Sequence, residues 1–141
     1  MIDIAHLIQT AIAPVFLLTG VASTLGVLIN RLSRIVDRAR VLEGRLAGSP
    51  GSAAELHADL AVLARRAHYM YIAISLSTIA ALLVALVVVS LFADAFLGLE
   101  LAKAIALLFT GAMLCLAVAY IAFFVEVRIA VAALRIGISR S

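Results

Sequence analysis

Charge is what this sequence has least of. Only 13% of its 141 residues are Asp, Glu, Lys or Arg, against 66% hydrophobic, and the mean hydropathy is +1.23. A soluble domain is roughly one quarter charged and about half apolar, so the composition argues against a soluble or disordered chain and points to a membrane. The length fits a single domain. Tryptophan is absent and aromatics reach only 6%. With no aromatic platform and no recognisable fold for it, the basic pI of 9.6 is not read as nucleic-acid binding. The single cysteine, Cys115, excludes an intramolecular disulfide. It is read as a small apolar filler.

Enzyme signatures are missing as well. The chain has no Gly-rich phosphate loop, nucleophile elbow or metal motif. His6, His57 and His68 are scattered along it. Glu55, His57 and Asp59 look like a ligand set, but on a helix His57 points roughly 160–200° away from the two acids. The expectation is therefore a non-enzyme with no catalytic residue, metal or cofactor.

What is there is a pattern of charge-free runs. Residues 4–30, 67–93 and 104–125 carry no charge at all. Each is as long as the roughly 20 residues a helix needs to cross a bilayer core, and backbone groups in lipid must be satisfied within the segment. The runs predict an all-α integral membrane protein with three transmembrane helices. The expected boundaries are a span over 4–30, a cytoplasmic helical hairpin over 31–69, spans over 70–97 and 101–126, and a helical tail over 127–141. The N-terminus lacks the basic start of a cleavable signal and is read as a permanent first span.

Basic residues set the expected orientation. Arg31, Arg34, Arg38, Arg40, Arg45, Arg65 and Arg66 cluster in 31–66, and Arg128, Arg135 and Arg140 lie in the tail. The positive-inside rule places both segments in the cytoplasm and the N-terminus outside.

Residues 31–66 also read as two amphipathic helices. Leu32, Ile35, Val36, Ala39, Leu42 and Leu46 share one face, and Leu56, Leu60, Leu63, Ala67 and Tyr71 another. Between them, Gly48-Ser49-Pro50-Gly51 breaks the helix and Ser52-Ala53-Ala54-Glu55 fits a capping box. This predicts an antiparallel hairpin paired as a coiled coil and continuous with the first two spans, since no breaker follows Asn30 or Arg66. Arg34, Asp37, Arg40 and Glu43 are expected to compensate one another at i,i+3. Arg45 is placed near Glu55, and Arg38 or Arg40 near Asp59. Arg31, Arg65 and Arg66 are left at the membrane surface, where they suit anionic headgroups.

Within the bilayer, Leu7, Ile8, Ala11, Val15, Leu18, Ala22, Leu25 and Ile29 are assigned to lipid. Gln9, Ala13, Phe16, Gly20, Ser23, Thr24, Val27, Asn30 and Arg31 form the opposite, polar side. That side either packs against the other two spans or lines an aqueous path between several copies of the chain, because three spans cannot enclose a channel. In the second case Gln9, Phe16, Gly20, Ser23, Thr24 and Asn30 are the pore-lining candidates. Ala73, Ser77, Ala81 and Ala85 in the second span, and Gly111, Cys115, Ala119 and Ala122 in the third, read as small-residue packing seams.

Glu126 ends the third charge-free run. A carboxylate there needs a partner, and Arg31, Arg65, Arg66 and His68 are the candidates at its depth, with Arg128 close in sequence. Arg31, Arg34, Arg65, Arg66, His68, Glu126 and Arg128 thus form the expected cytoplasmic interface cluster. It is a structural ion pair or, with His68, a pH-sensing gate. The apolar tail is expected to extend the third helix, with an interfacial amphipathic helix as the alternative.

The stretch Ala13-Pro14-Val15-Phe16-Leu17-Leu18-Thr19-Gly20, with Asn30-Arg31-Leu32-Ser33-Arg34-Ile35-Val36-Asp37-Arg38-Ala39-Arg40, resembles a bacterial membrane-protein family called domain of unknown function 2721. The likeness covers most of the chain and is most distinctive over residues 13–40. It implies three spans and supplies no activity. Two functions stay open. One is a homo-oligomeric passive channel. The other is a non-conducting scaffold whose basic hairpin binds a partner or anionic lipid.

Overall fold

The structure is a computed structural model. It describes residues 3–48 and 53–140, with side chains as far as Arg135. Ser49-Pro50-Gly51 and the Ser52 cap lie outside the described residues.

The described chain is helical: α1 spans Ile4–Gly48, α2 Ala53–Leu97 and α3 Ala102–Arg140. All three are long and apolar enough to cross a membrane, so the chain is a multi-pass membrane protein. At 1.5 Å per residue, the 45 residues of α1 extend about 68 Å. A hydrocarbon core is about 30 Å thick. Asp3 caps α1: its Oδ1 accepts from the His6 amide at 3.3 Å and its carbonyl from the Leu7 amide at 3.0 Å. Pro14 lies inside α1 without ending it.

The link between α2 and α3 is short because its backbone is satisfied locally. Gly98 takes a positive φ of 62° and donates to the Asp94 carbonyl at 2.9 Å, the left-handed exit of a helix C-terminus. The Asp94 carboxylate accepts from the Leu101 amide at 3.0 Å. Glu100 also has a positive φ, 52°, which an L-residue with a Cβ adopts at a cost of about 1 kcal/mol. Gly98→Ala is expected to lower stability by about 1 kcal/mol, although open space surrounds the position. Glu100→Gly should leave stability unchanged or slightly raised, since relief of the left-handed conformation offsets the entropy of glycine. Unfolding midpoints of both variants in one detergent test this, and a Gly98→Ala protein as stable as wild type would refute the left-handed exit.

The helices contribute to two compact units. The first comprises Met1–Gly26 and Ser75–Val118, the second Val27–Ile74 and Ala119–Ser141. In the first, Val21, Ala80, Val84, Ala112 and Leu116 form the core. In the second, Leu28, Ile35 and Leu42 of α1 meet Leu56, Leu63, Met70 and Ala73 of α2 and Ala122 of α3. Fifteen of the nineteen charged residues fall in the second unit; the first holds only Asp3, Asp94, Glu100 and Lys103.

Burial follows one period along each helix. In α1 it falls on Leu7, Pro14, Val21, Leu28, Ile35 and Leu42, each seven residues from the last, with Ala11 added. In α2 it falls on Leu56, Leu63, Met70, Ser77 and Val84, and on Ala73, Ala80 and Val87. A seven-residue repeat drifts only about 20° per step around a straight helix, so one stripe stays buried. The four-residue seam read from the sequence drifts about 40° per step. This is why Ala73 and Ser77 are buried whereas Ala81 and Ala85 are only half-buried, their places being taken by Ala80 and Val84. In α3, Ala119 and Ala122 are buried while Gly111 and Cys115 are half-buried beside Ala112 and Leu116.

Candidate functional site

The second unit contains a buried carboxylate. Glu126 is 0% exposed, on the same stripe of α3 as Ala112 and Ala119, seven residues apart. Arg31 on α1 lies three residues beyond buried Leu28, and Arg66 on α2 three beyond buried Leu63. Helical spacing of three or four keeps each arginine on its buried face. Arg31 Nε donates to Glu126 Oε2, and Arg66 Nε donates to Oε1 at 2.8 Å. Both carboxylate oxygens are thus charge-paired, which a buried carboxylate requires. The Arg31 guanidinium also lies over the Phe123 ring, 5.7 Å from its centroid.

Each charge-free run ends at a member of this cluster: 4–30 at Arg31, 67–93 begins after Arg66, and 104–125 at Glu126. Two guanidinium charges against one carboxylate leave a local excess of one positive charge. Next to them, Val27, Asn30, Arg31, Arg34 and Arg66 line a cleft of about 350 Å³.

Other residues of the expected cluster stay outside this ion triad. Arg34, Arg65, His68 and Arg128 are exposed. His68 stands edge-on to Tyr69 with centroids 6.0 Å apart, and Arg128 lies over Phe124 at 5.8 Å. Phe123 and Phe124, just before Glu126, thus each carry an arginine on their rings, a role that spacing alone does not signal. Asp94, in the first unit, is engaged in closing the α2–α3 link.

The expected ion pairs along residues 31–66 do not form. Among the described residues, the charged partners within 4 Å are Arg31 and Arg66 with Glu126; none joins Arg34, Asp37, Arg40 and Glu43, nor Arg45 to Glu55, nor Arg38 or Arg40 to Asp59. Exposed pairs gain only a few tenths of a kcal/mol and lose side-chain entropy, so solvent competes well with them.

The α1 stripe is also placed differently from one of its two readings. In the first unit Gln9, Phe16, Gly20 and Ser23 are exposed and Thr24 is half-buried; Phe16 is 72% exposed. The face that packs carries Leu7 and Ala11, which the sequence reading had given to lipid, together with Pro14 and Val21. In the second unit Asn30 is exposed. The hydroxyls bond to their own helix: Thr19 to the Val15 carbonyl at 3.3 Å, Ser23 to Thr19 at 3.1 Å and Thr24 to Gly20 at 3.1 Å. Of the polar side, Gln9, Ala13, Phe16, Gly20, Ser23, Val27 and Asn30 are thus exposed, whereas Thr24 and Arg31 are half-buried.

A family model described as protein of unknown function (DUF2721) matches residues 11–136. The chain belongs to this DUF2721 family. The match takes in all of α2, most of α1 and α3, and the Arg31, Arg66 and Glu126 triad of this DUF2721 chain. No curated protein and no solved structure matches it.

Proposed function

We propose that this DUF2721 protein is a homo-oligomer of a bacterial inner membrane whose α1 helices line a passive path for ions or small solutes. The exposed polar stripe of α1 carries this reading. Gln9, Phe16, Gly20 and Ser23 are exposed and lie outside the core of their own unit, and a stripe less apolar than its surroundings is better matched by water or another copy than by lipid. Phe16 is the apolar constriction in this arrangement. The helical hairpin of residues 31–69 and the tail of residues 127–141 lie in the cytoplasm, by the basic residues they carry, with Ile35 and Leu42 paired with Leu56 and Leu63 as an antiparallel coiled coil.

The purified full chain in planar bilayers tests this. Wild type should conduct, and Ser23→Trp or Asn30→Trp should abolish most of the current. Absence of current, current untouched by either substitution, or a monomer in both mild detergent and nanodiscs would sink the path.

A second reading is favoured by Arg38 and Arg45, which are exposed and form no ion pair among the described residues. Here the chain is a non-conducting scaffold whose basic segment holds an acidic partner. Comparing partners captured by wild type and by an Arg31, Arg38 and Arg45 to Ala triple variant tests it; identical profiles would remove it.

A further inference from the structure

The cleft beside the ion triad has the chemistry of an anion site. Three of its five lining residues are arginines, Arg31, Arg34 and Arg66, and a fourth is Asn30. The only carboxylate in contact with them among the described residues is Glu126, which is buried and already shared by two of the arginines. Arg31 and Arg66 spend their Nε groups on Glu126. Each guanidinium has five N–H donors, so both keep their terminal donors, which make no hydrogen bond among the described residues. Arg34 makes no ion pair among those residues and keeps all of its donors.

Two of the three guanidiniums are held in place before any ligand arrives. Glu126 fixes Arg31 and Arg66, and Phe123 backs Arg31. The entropy of ordering those long side chains is spent in folding, which favours binding. Forked, planar donors converging on one cleft match the oxygens of a phosphate group. The position fits as well, because Arg31 and Arg66 stand where two charge-free runs end, the depth of a headgroup phosphate.

We propose that Arg31, Arg34, Arg66 and Asn30 form a binding site for a phosphate-bearing anion, either the phosphate of an anionic phospholipid headgroup or a free phosphate. Arg34 is the recruiting residue, and Glu126 positions the other two arginines. The inference rests on the second unit alone and is independent of conduction. A failed conduction test leaves it standing, and a failed binding test leaves the path standing.

The test uses the full chain in neutral detergent micelles. Short-chain phosphatidylglycerol is titrated against phosphate-free dioctanoylglycerol, and inorganic phosphate against chloride at matched ionic strength. Arg34→Gln is compared with Arg45→Gln, which removes the same charge at an exposed position outside the cleft. Wild type should bind phosphatidylglycerol saturably and prefer it to the phosphate-free lipid. Arg34→Gln should weaken binding about tenfold, the loss expected for one charge-assisted partner, while Arg45→Gln leaves it within about twofold. Displacement of the lipid by inorganic phosphate supports the site with the free anion as its ligand. Lipid binding that inorganic phosphate does not disturb supports the headgroup as ligand. Equal weakening by both variants, or no dependence on Arg34 with either probe, overturns the proposal.

Discussion

Glu126→Gln is expected to destabilise the protein by about 3 kcal/mol, more than any other isosteric change in the second unit. The carboxylate is fully buried and holds two arginines whose side chains are 32% and 21% exposed. Removing its charge leaves two guanidiniums side by side with no counter-charge. Their partial exposure lets water soften the penalty, so the estimate sits at the lower end for a broken buried pair. Arg66→Gln should cost distinctly less, because Arg31 and Glu126 still neutralise each other. Arg31→Gln combined with Arg66→Gln should cost the most, since it leaves a buried carboxylate with no cation. Unfolding in mixed detergent and dodecyl sulfate micelles gives the three values. Equal losses in Glu126→Gln and Arg66→Gln would show that the carboxylate is not buried between two charges. Glu126→Leu with Arg31→Met and Arg66→Met should recover much of the stability, as apolar replacements of buried ionic clusters do.

The three long apolar helices were legible because lipid imposes a one-dimensional rule. A segment either carries charge or does not, and Arg31, Arg66 and Glu126 mark the edges without any knowledge of tertiary contacts. The family resemblance was legible for a similar reason, resting on a run of residues around Pro14 and another around Arg34. Which face of α1 packs was not. On a helical wheel, an apolar face suited to lipid and an apolar face suited to a neighbouring helix contain the same residue types, since lipid tails and leucine are equally apolar. Leu7 and Ala11 therefore read as lipid-facing although they are buried. Polarity also gave little help with the opposite side, because Thr19 and Ser23 donate their hydroxyls to carbonyls of their own helix.

The period was the missed signal. A strict seven-residue recurrence through Leu7, Pro14, Val21, Leu28, Ile35 and Leu42 crosses from an uncharged segment into a charged one. Dividing α1 at residue 30 hides it. Keeping the helix whole would have pointed to the buried stripe, and Arg31 beside that stripe would have stood out from Arg34 and Arg65 as a partner for Glu126. The sequence narrowed that partner to Arg31, Arg65, Arg66, His68 or Arg128. Only helix rotation, which the buried stripe fixes, separates Arg66 from its neighbour Arg65. The exposed ion pairs failed for the opposite reason: spacing permits them, but spacing contains no term for the solvent that competes.

Leu28→Ala against Ile29→Ala puts this period to its strongest test. The two residues are adjacent and chemically alike, yet Leu28 is 2% exposed and Ile29 is 50% exposed. Leu28 belongs to the core that joins Ile35, Leu42, Leu56, Leu63 and Met70. Truncating it removes buried methyl groups and leaves a cavity that helices pinned by the neighbouring arginines cannot fully close. A loss of about 3 kcal/mol is expected. Ile29 faces outward, where lipid or detergent fills the space of the lost atoms, and its truncation should cost under about 1 kcal/mol. The same unfolding titration in mixed micelles measures both. A larger loss at Ile29 would rotate α1 by about 100° and take Arg31 away from Glu126. A larger loss at Leu28 ties the stripe, the ion triad and the arginine cleft to one helix orientation, because residues 28, 31 and 35 recur at helical spacing and cannot be turned independently.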